Sequence, residues 1–172
     1  FHSGRRAELL RHAKDGLLLF RGLPETRAYL EFRQDKTFWY LTGVESPGAA
    51  LLMDAKSGRQ VLFLPKPNPG KESWEGEIWD SGDSWVKELT GFEDVRPAGE
   101  LMQVLEEWTV DEKIIWISKH PHVATAGCFD RAGPFDRAQV KDPLDGRPSR
   151  EAALEKKLME RLGVEVKSVD DI

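Results

Sequence analysis

The sequence predicts an α/β sandwich: a mixed central sheet with helices on both faces. Three observations lead there. Short apolar runs alternate with amphipathic segments along the chain, the pattern of a sheet covered by helices. Leu17, Leu18, Leu19 and Phe20 follow one another without a polar alternate, as in a strand covered on both faces. Ala49 to Asp54 and Gln60 to Leu64 are two apolar segments joined by Ala55-Lys56-Ser57-Gly58-Arg59, which reads as a hairpin closed by a glycine-containing turn.

Each element has its own warrant. Ser3 is placed to cap a first helix, with Ala7, Leu10 and Ala13 at helical spacing and Asp15-Gly16 as the stop. After the first strand, Arg21 to Glu25 reads as a loop through Gly22 and Pro24. From Tyr29 to Leu52 runs an aromatic block in which Phe38, Trp39 and Tyr40 are consecutive, followed by Leu41 and a Thr42-Gly43 stop suited to positive φ. The block reads as bulky, buried and tightly turned. Beyond the hairpin, Pro65, Pro67 and Pro69 with Gly70 argue for an irregular, exposed stretch from Lys66 to Gly76. Asp83 to Leu89 reads as a short helix closed by Gly91, and Phe92 to Val95 as a strand before Pro97. Ala98 to Trp108 is a helix with Leu101, Val104, Leu105 and Trp108 on one face, and Lys113 to Ile117 is the next buried strand. His120, Pro121, His122, Gly127, Gly133 and Pro134 break any long period, so Ser118 to Asp145 is expected to be irregular, with a helical turn near Ala124. A helix capped at Ser149 follows to Leu162, with Ala153, Leu154, Leu158 and Leu162 as its apolar seam. Gly163 ends it, and Val164 to Val166 is the last strand.

Bulk properties narrow the class. A chain of 172 residues suits one domain that buries roughly 70% of its unfolded surface. Its net charge is −5 and its basic residues are scattered among acids, which excludes nucleic acid as an expected partner. Cys128 is the only cysteine, so no internal disulfide or cysteine-rich metal cage is available, and a reducing, cytoplasmic address is expected. The apolar runs are too short for a bilayer, and no membrane partner is expected. Phe1 to Gly16 carries Arg5, Arg6, Arg11 and Lys14 without a signal-type core, and the absence of an initiator Met suggests a chain trimmed at its front.

The chemistry of catalysis is thinly supplied. His120 and His122 flank Pro121 with no acidic cluster beside them, which favours a surface loop over a metal site. Glu106-Glu107 and Asp170-Asp171 are adjacent carboxylates, which point in different directions on a helix. No G-x-S-x-G elbow occurs, Cys128 lacks the local signature of a thiol enzyme, and Gly76, Gly82 and Gly91 are too widely spaced for a phosphate loop. Neither a catalytic residue nor a metal ligand is expected in this chain.

Taken in order, Arg33-Gln34, Tyr40-Leu41-Thr42-Gly43, Pro47-Gly48, Leu62-Phe63-Leu64 and Trp74-Glu75-Gly76 make the sequence resemble the N-terminal domain of the aminopeptidase P, prolidase and creatinase family. The resemblance implies a ribonuclease H-like three-layer sandwich occupying the whole of 1–172 as a single domain. In full-length relatives it is followed by a catalytic domain of pita-bread fold, in which two Asp, one His and two Glu bind two divalent ions, often manganese. None of those positions can be assigned in this sequence, and Val164 to Ile172 resembles the stretch before the family's linker helix. The implied role is non-catalytic: shaping substrate access and supplying oligomer contacts for a Xaa-Pro aminopeptidase, which removes an N-terminal residue preceding proline. The implied partners are the protein's own C-terminal catalytic domain, a peptide with proline at its second position, and further copies of the same protein. Two alternatives stay open: a peptide- or protein-binding module of the same fold without peptidase activity, and the N-terminal domain of a prolidase or creatinase-type hydrolase.

Three residues are candidates for substrate lining or an interface. Trp74 either lines the substrate site, as the family's Trp-x-Gly loop implies, or covers the sheet edge. Arg33 is either an internal clamp tying down the aromatic block or a ligand contact at a subunit interface. Tyr40, with Phe38 and Trp39, belongs to the core or to a domain interface. Trp79 and Trp85 read as packing. Glu77-Ile78-Trp79 departs from the family's frequent basic continuation, which leaves substrate preference open.

Overall fold

A computed structural model describes residues 1–25, 32–119 and 148–172, together with positions 141, 143, 144 and 146. The expectations placed on Tyr29, His120, His122, Ala124 and Cys128 lie outside the described residues. Helix α1 (His2–Ala13) leads into strand β1 (Leu17–Arg21), followed by α2 (Lys36–Thr42) and the hairpin of β2 (Ala50–Asp54) and β3 (Gln60–Leu64). Then come α3 (Pro69–Glu75), α4 (Trp85–Thr90), β4 (Asp94–Pro97) and α5 (Leu101–Trp108), the last entered through a 3-10 turn at Ala98–Glu100. Strand β5 (Ile114–Ile117), helix α6 (Arg150–Leu162), strand β6 (Glu165–Ser168) and a closing 3-10 turn (Val169–Asp171) complete the described elements.

The six strands form one sheet in the order β4-β3-β2-β1-β5-β6. Strand β2 is antiparallel to both neighbours, whereas β1 with β5, β5 with β6 and β3 with β4 are parallel, so β2 alone runs against the other five. Period-two alternation divides every central strand between two cores. Leu18, Phe20, Leu51, Met53, Leu62 and Leu64 pack with Phe38 and Leu41 of α2 and Val86 of α4. Leu17, Leu19, Leu52, Val61, Phe63 and Ile115 pack on the opposite face with Val104, Leu105 and Trp108 of α5 and Leu158 of α6. That double burial is why the runs LLLF and VLFL carry no polar alternate. The chain is therefore the expected α/β sandwich with a mixed sheet between helical layers.

Several expectations need correction. α1 begins at His2 and its N-cap, Phe1, makes no side-chain cap bond, so Ser3 lies inside the first turn and does not cap it. The stretch from Lys66 to Gly76 is not irregular throughout. Pro69 occupies the first turn of α3, where its missing N–H removes no helical bond, and Asn68 Oδ1 accepts from Lys71 N at 3.1 Å. α4 and β4 each lie about two residues further along the chain than the spacing suggested, and Pro97 ends an edge strand, where proline is tolerated. Phe38, Trp39 and Tyr40 of the aromatic block lie on helix α2, and only Phe38 of the three rings is buried. A helical step of about 100° per residue turns the next two outward, leaving Trp39 42% and Tyr40 51% exposed.

Other local readings hold. Gly43 takes the expected positive φ, +74°, and Asp35, which carries no expectation from the sequence, caps α2 by accepting from Phe38 N at 2.9 Å. Ser149 caps α6, and Gly163 ends it at φ +61°. Trp79 and Trp85 pack edge to face, 5.1 Å between centroids.

Candidate functional site

Strands β1 and β3 run parallel within the sheet, so the loops that leave them emerge at the same sheet edge. The entry to β2 lies at that edge too. Gly22 N donates to Ala49 O at 2.8 Å and Gly48 N to Leu23 O at 2.7 Å, which extends the β1–β2 pairing past its last registered residues. Side-chain hydrogen bonds then tie these loops to one another. Gln34 Oε1 accepts from Leu23 N at 2.6 Å and from Asp35 N at 2.8 Å, while Gln34 Nε2 donates to Ser46 O at 2.9 Å. Ser46 Oγ donates in turn to Trp79 O at 2.6 Å. A buried glutamine and a buried serine thus link the exits of β1 and α3 with the entries of α2 and β2.

From this edge residues 65–82 rise as an arm with a closed neck. Ser81 N donates to Pro65 O at 2.9 Å, and a Cβ built on Gly82 would meet Pro67 Cγ at 2.9 Å, so only glycine lets the returning chain lie against that ring. Inside the arm, Glu72 Oε1 accepts from Ile78 N at 3.2 Å, and Gly76 N donates to Glu72 O at 3.0 Å, with Gly76 at φ +89°. Helix α3 buries none of its residues. Trp74, on that helix, is 90% exposed. Lys71 Nζ lies 2.7 Å from Glu25 Oε1 and 3.6 Å from Glu75 Oε2, and the hydrogen bond to Glu25 raises the Lys71 ammonium above its ordinary value. Beneath the arm is a cleft of about 360 Å³ whose lining includes Pro24, Pro47, Pro65, Lys71, Glu72 and Ile78.

Tyr40 belongs to a different place. Its ring stacks under the Arg5 guanidinium at 3.6 Å from the centroid, and Phe1 covers the same guanidinium at 3.8 Å. Tyr40 O accepts from Arg5 Nη1 and His2 Nδ1, each at 2.9 Å, and Leu41 O from Arg6 Nη1 at 2.9 Å. Three basic side chains of α1 therefore converge on the carbonyl end of α2, where a helix carries partial negative charge. Arg6 is buried, with its guanidinium 3.8 Å over Phe92 and further donors to Gln60 Oε1 at 2.7 Å and Thr90 O at 3.4 Å. Burial lowers its pKa to about 10. Tyr40 also lines a second groove, of about 580 Å³, with Phe1, Leu9, Leu41 and Ile172.

The sequence candidates are thus separated. Trp74 stands on the arm, Tyr40 on the α1–α2 face, and Arg33 is exposed next to Gln34. The residue that bridges Leu23, Asp35 and Ser46 is Gln34, which the sequence marks as part of the Arg33-Gln34 resemblance but with no role of its own. Lys71, Ser46 and Arg6 were likewise missed, since an isolated lysine, serine or arginine carries no pattern of its own. Among the described residues no group of three or more His, Cys, Asp or Glu side chains could hold a metal ion. They do not fit the ligand set of a dinuclear centre. Among the same residues no helix is long and apolar enough to cross a membrane.

Comparison with known proteins now identifies the fold. The family model described as aminopeptidase P, N-terminal domain, matches residues 2–116. The chain belongs to the aminopeptidase P N-terminal domain family. This aminopeptidase P N-terminal domain is 33% identical over 91 residues to Xaa-Pro aminopeptidase 3 of Rattus norvegicus, covering 49% of the chain and 18% of that protein. It is 42% identical over 72 residues to intermediate cleaving peptidase 55 of Schizosaccharomyces pombe, covering 40% of the chain and 14% of that protein. The chain therefore spans less than a fifth of the length of these curated relatives. Among solved structures, aminopeptidase PepP of Pseudomonas aeruginosa superposes with a TM-score of 0.62 at 19% identity, covering 99% of this chain and 36% of that one. Escherichia coli aminopeptidase P superposes with a TM-score of 0.59 at 21% identity, covering 86% and 34% respectively. At such identities the superposition speaks for the fold, which agrees with the six-stranded mixed sheet and its helical layers.

Proposed function

We propose that this aminopeptidase P N-terminal domain is the non-catalytic, access-shaping part of a Xaa-Pro aminopeptidase. The whole protein would remove an N-terminal residue that precedes proline. The five-ligand set for two divalent ions, manganese by preference, would belong to a C-terminal catalytic domain. One observation carries the reading: α3 raises Trp74 off the strand-exit edge of the sheet, leaves it 90% exposed, and sits on a neck closed by Ser81–Pro65. A large ring held out on a pinned arm suits a wall for a substrate cleft completed by another domain, which narrows the cleft to short or free N-termini by excluding the rest.

The Tyr40 face, with Trp39 and Phe1 also exposed, is the surface we assign to oligomer contacts. A cytoplasmic address goes with this reading, and fractionation into mitochondria would overturn it, a relevant alternative because one relative, from Arabidopsis thaliana, is named as mitochondrial.

The test is kinetic. The whole protein, loaded with manganese, should cleave Xaa-Pro peptides, and Trp74→Ala should raise KM several-fold with little change in kcat. A KM unmoved by Trp74→Ala, or turnover by residues 1–172 alone, would contradict the proposal.

A further inference from the structure

Helix α3 raises a physical problem. With seven residues it is too short to persist in water by itself, and none of those residues is buried. Its own bonds stay local: Asn68 to Lys71, Ser73 to Gly70, Glu72 to Gly76 and Ile78. Among the described residues, one of its hydrogen bonds and ion pairs crosses to a distant part of the chain, from Lys71 Nζ to Glu25 Oε1 at 2.7 Å. Glu75 lies one turn away at 3.6 Å, in the lysine-first order that supports a helix less well than the reverse. Lys71 is 21% exposed although its helix buries nothing, so its aliphatic stem lies along the cleft below the arm. Glu25 belongs to the loop that leaves β1, two residues beyond Leu23, whose N–H is fixed to Gln34. The ion pair thus joins a helix held otherwise by local bonds to a loop whose backbone is fixed two residues upstream.

We infer that Lys71 is a positioning residue: its ion pair with Glu25 latches α3 to the loop after β1 and so sets where Trp74 stands. This rests on the access-shaping role proposed above for Trp74. An exposed ion pair contributes little to global stability, but here it decides between two placements of one small element, and that equilibrium should shift about twofold to fivefold when the pair is broken. High salt should loosen the latch in the unmutated chain, because its Glu25 side is open to solvent.

The experiment has two arms. In the 172-residue chain labelled with 5-fluorotryptophan, the Trp74 resonance is assigned by its disappearance in Trp74→Phe. Lys71→Met and Glu25→Gln should each move that resonance in the same direction; with the ring already 90% exposed, the shift reports changed neighbours of Trp74 and not a gain of solvent. Lys71→Arg should restore it, and 1 M NaCl should move the parent resonance in the same direction as Lys71→Met. In the whole protein, Lys71→Met should raise KM for a Xaa-Pro peptide about twofold to fivefold at unchanged kcat, with Lys71→Arg close to the parent. A Trp74 resonance unmoved in both Lys71→Met and Glu25→Gln overturns the latch. A moved resonance with unchanged KM upholds the latch and overturns the substrate role of Trp74, so the two failures are distinguishable.

Discussion

The central strands and the α3 arm lie next to one another in the fold and are held by opposite means. Strands β1, β2 and β3 bury nearly every side chain on two apolar faces, and Leu17, Leu18, Leu51, Leu52, Leu62 and Phe63 have no measurable exposure. Helix α3, reached directly from β3, buries none and is fixed by caps, a neck hydrogen bond and an ion pair. Dispersion and water exclusion, summed over many contacts, hold the first region with little dependence on ionised groups, Asp54 at the end of β2 being the exception. The second depends on a few polar bonds worth about 1 kcal/mol each, so solution conditions and neighbouring domains can move it. A scaffold that must not yield and an element that meets a substrate call for different materials.

Mutations can break this contrast or sharpen it. Phe63→Ala opens a cavity in a fully buried position and should cost about 3–5 kcal/mol in denaturant unfolding. A loss under 1 kcal/mol would mean that the sheet is not the rigid part. Gln34→Leu removes the bridge from Leu23 and Asp35 to Ser46 and leaves buried backbone groups unpaired, at about 1–3 kcal/mol. Spectral change in that variant should gather at the loops and at Trp79, not in β1.

Asp54 tests polar bonding inside the rigid part. Burial pushes its carboxyl up, but hydrogen bonds from Ser57 Oγ, the backbone N–H groups of Ser57 and Lys56, and the Arg59 guanidinium outweigh this and hold it below its ordinary value of 3.8. The folded state therefore favours the ionised form. Its stabilisation is complete above that ordinary value and is lost as pH falls through the lowered one. Asp54→Asn should cost about 1 kcal/mol at pH 7 and progressively less below about pH 4, measured by urea midpoints across pH. The smallest effect belongs to the arm. Trp74→Ala should change global stability by less than about 0.5 kcal/mol, because the ring is exposed and its helix unfolds at little expense to the sheet.

Legibility followed the same division. The buried strands were readable because double burial writes an unbroken apolar run into the sequence, and Gly43, Gly91 and Gly163 marked helix ends at positive φ. The arm was not readable in that way. Three prolines within five residues resembled a run that forbids helix, yet Pro69 stands at the helix start, where it is tolerated, and Asn68 supplies the cap. The consecutive rings of Phe38, Trp39 and Tyr40 suggested collective burial, whereas a helix can turn only some of three successive residues inward. The bridging role of Gln34 and the tether of Lys71 were not legible because they arise from loops brought together by the sheet, a relation that local spacing does not encode. Trp74 was singled out through the family resemblance, and its exposure on the arm became visible only with the structure.

Native-state hydrogen exchange of the 172-residue chain compares the two regions most directly. Amides of β1 and β2 should exchange only through global unfolding, while those of Glu72 to Gly76 should exchange through local opening at least a hundredfold faster, a gap of about 3 kcal/mol or more. Equal protection of α3 and β1 would contradict the division between a rigid sheet and a polar-tethered arm.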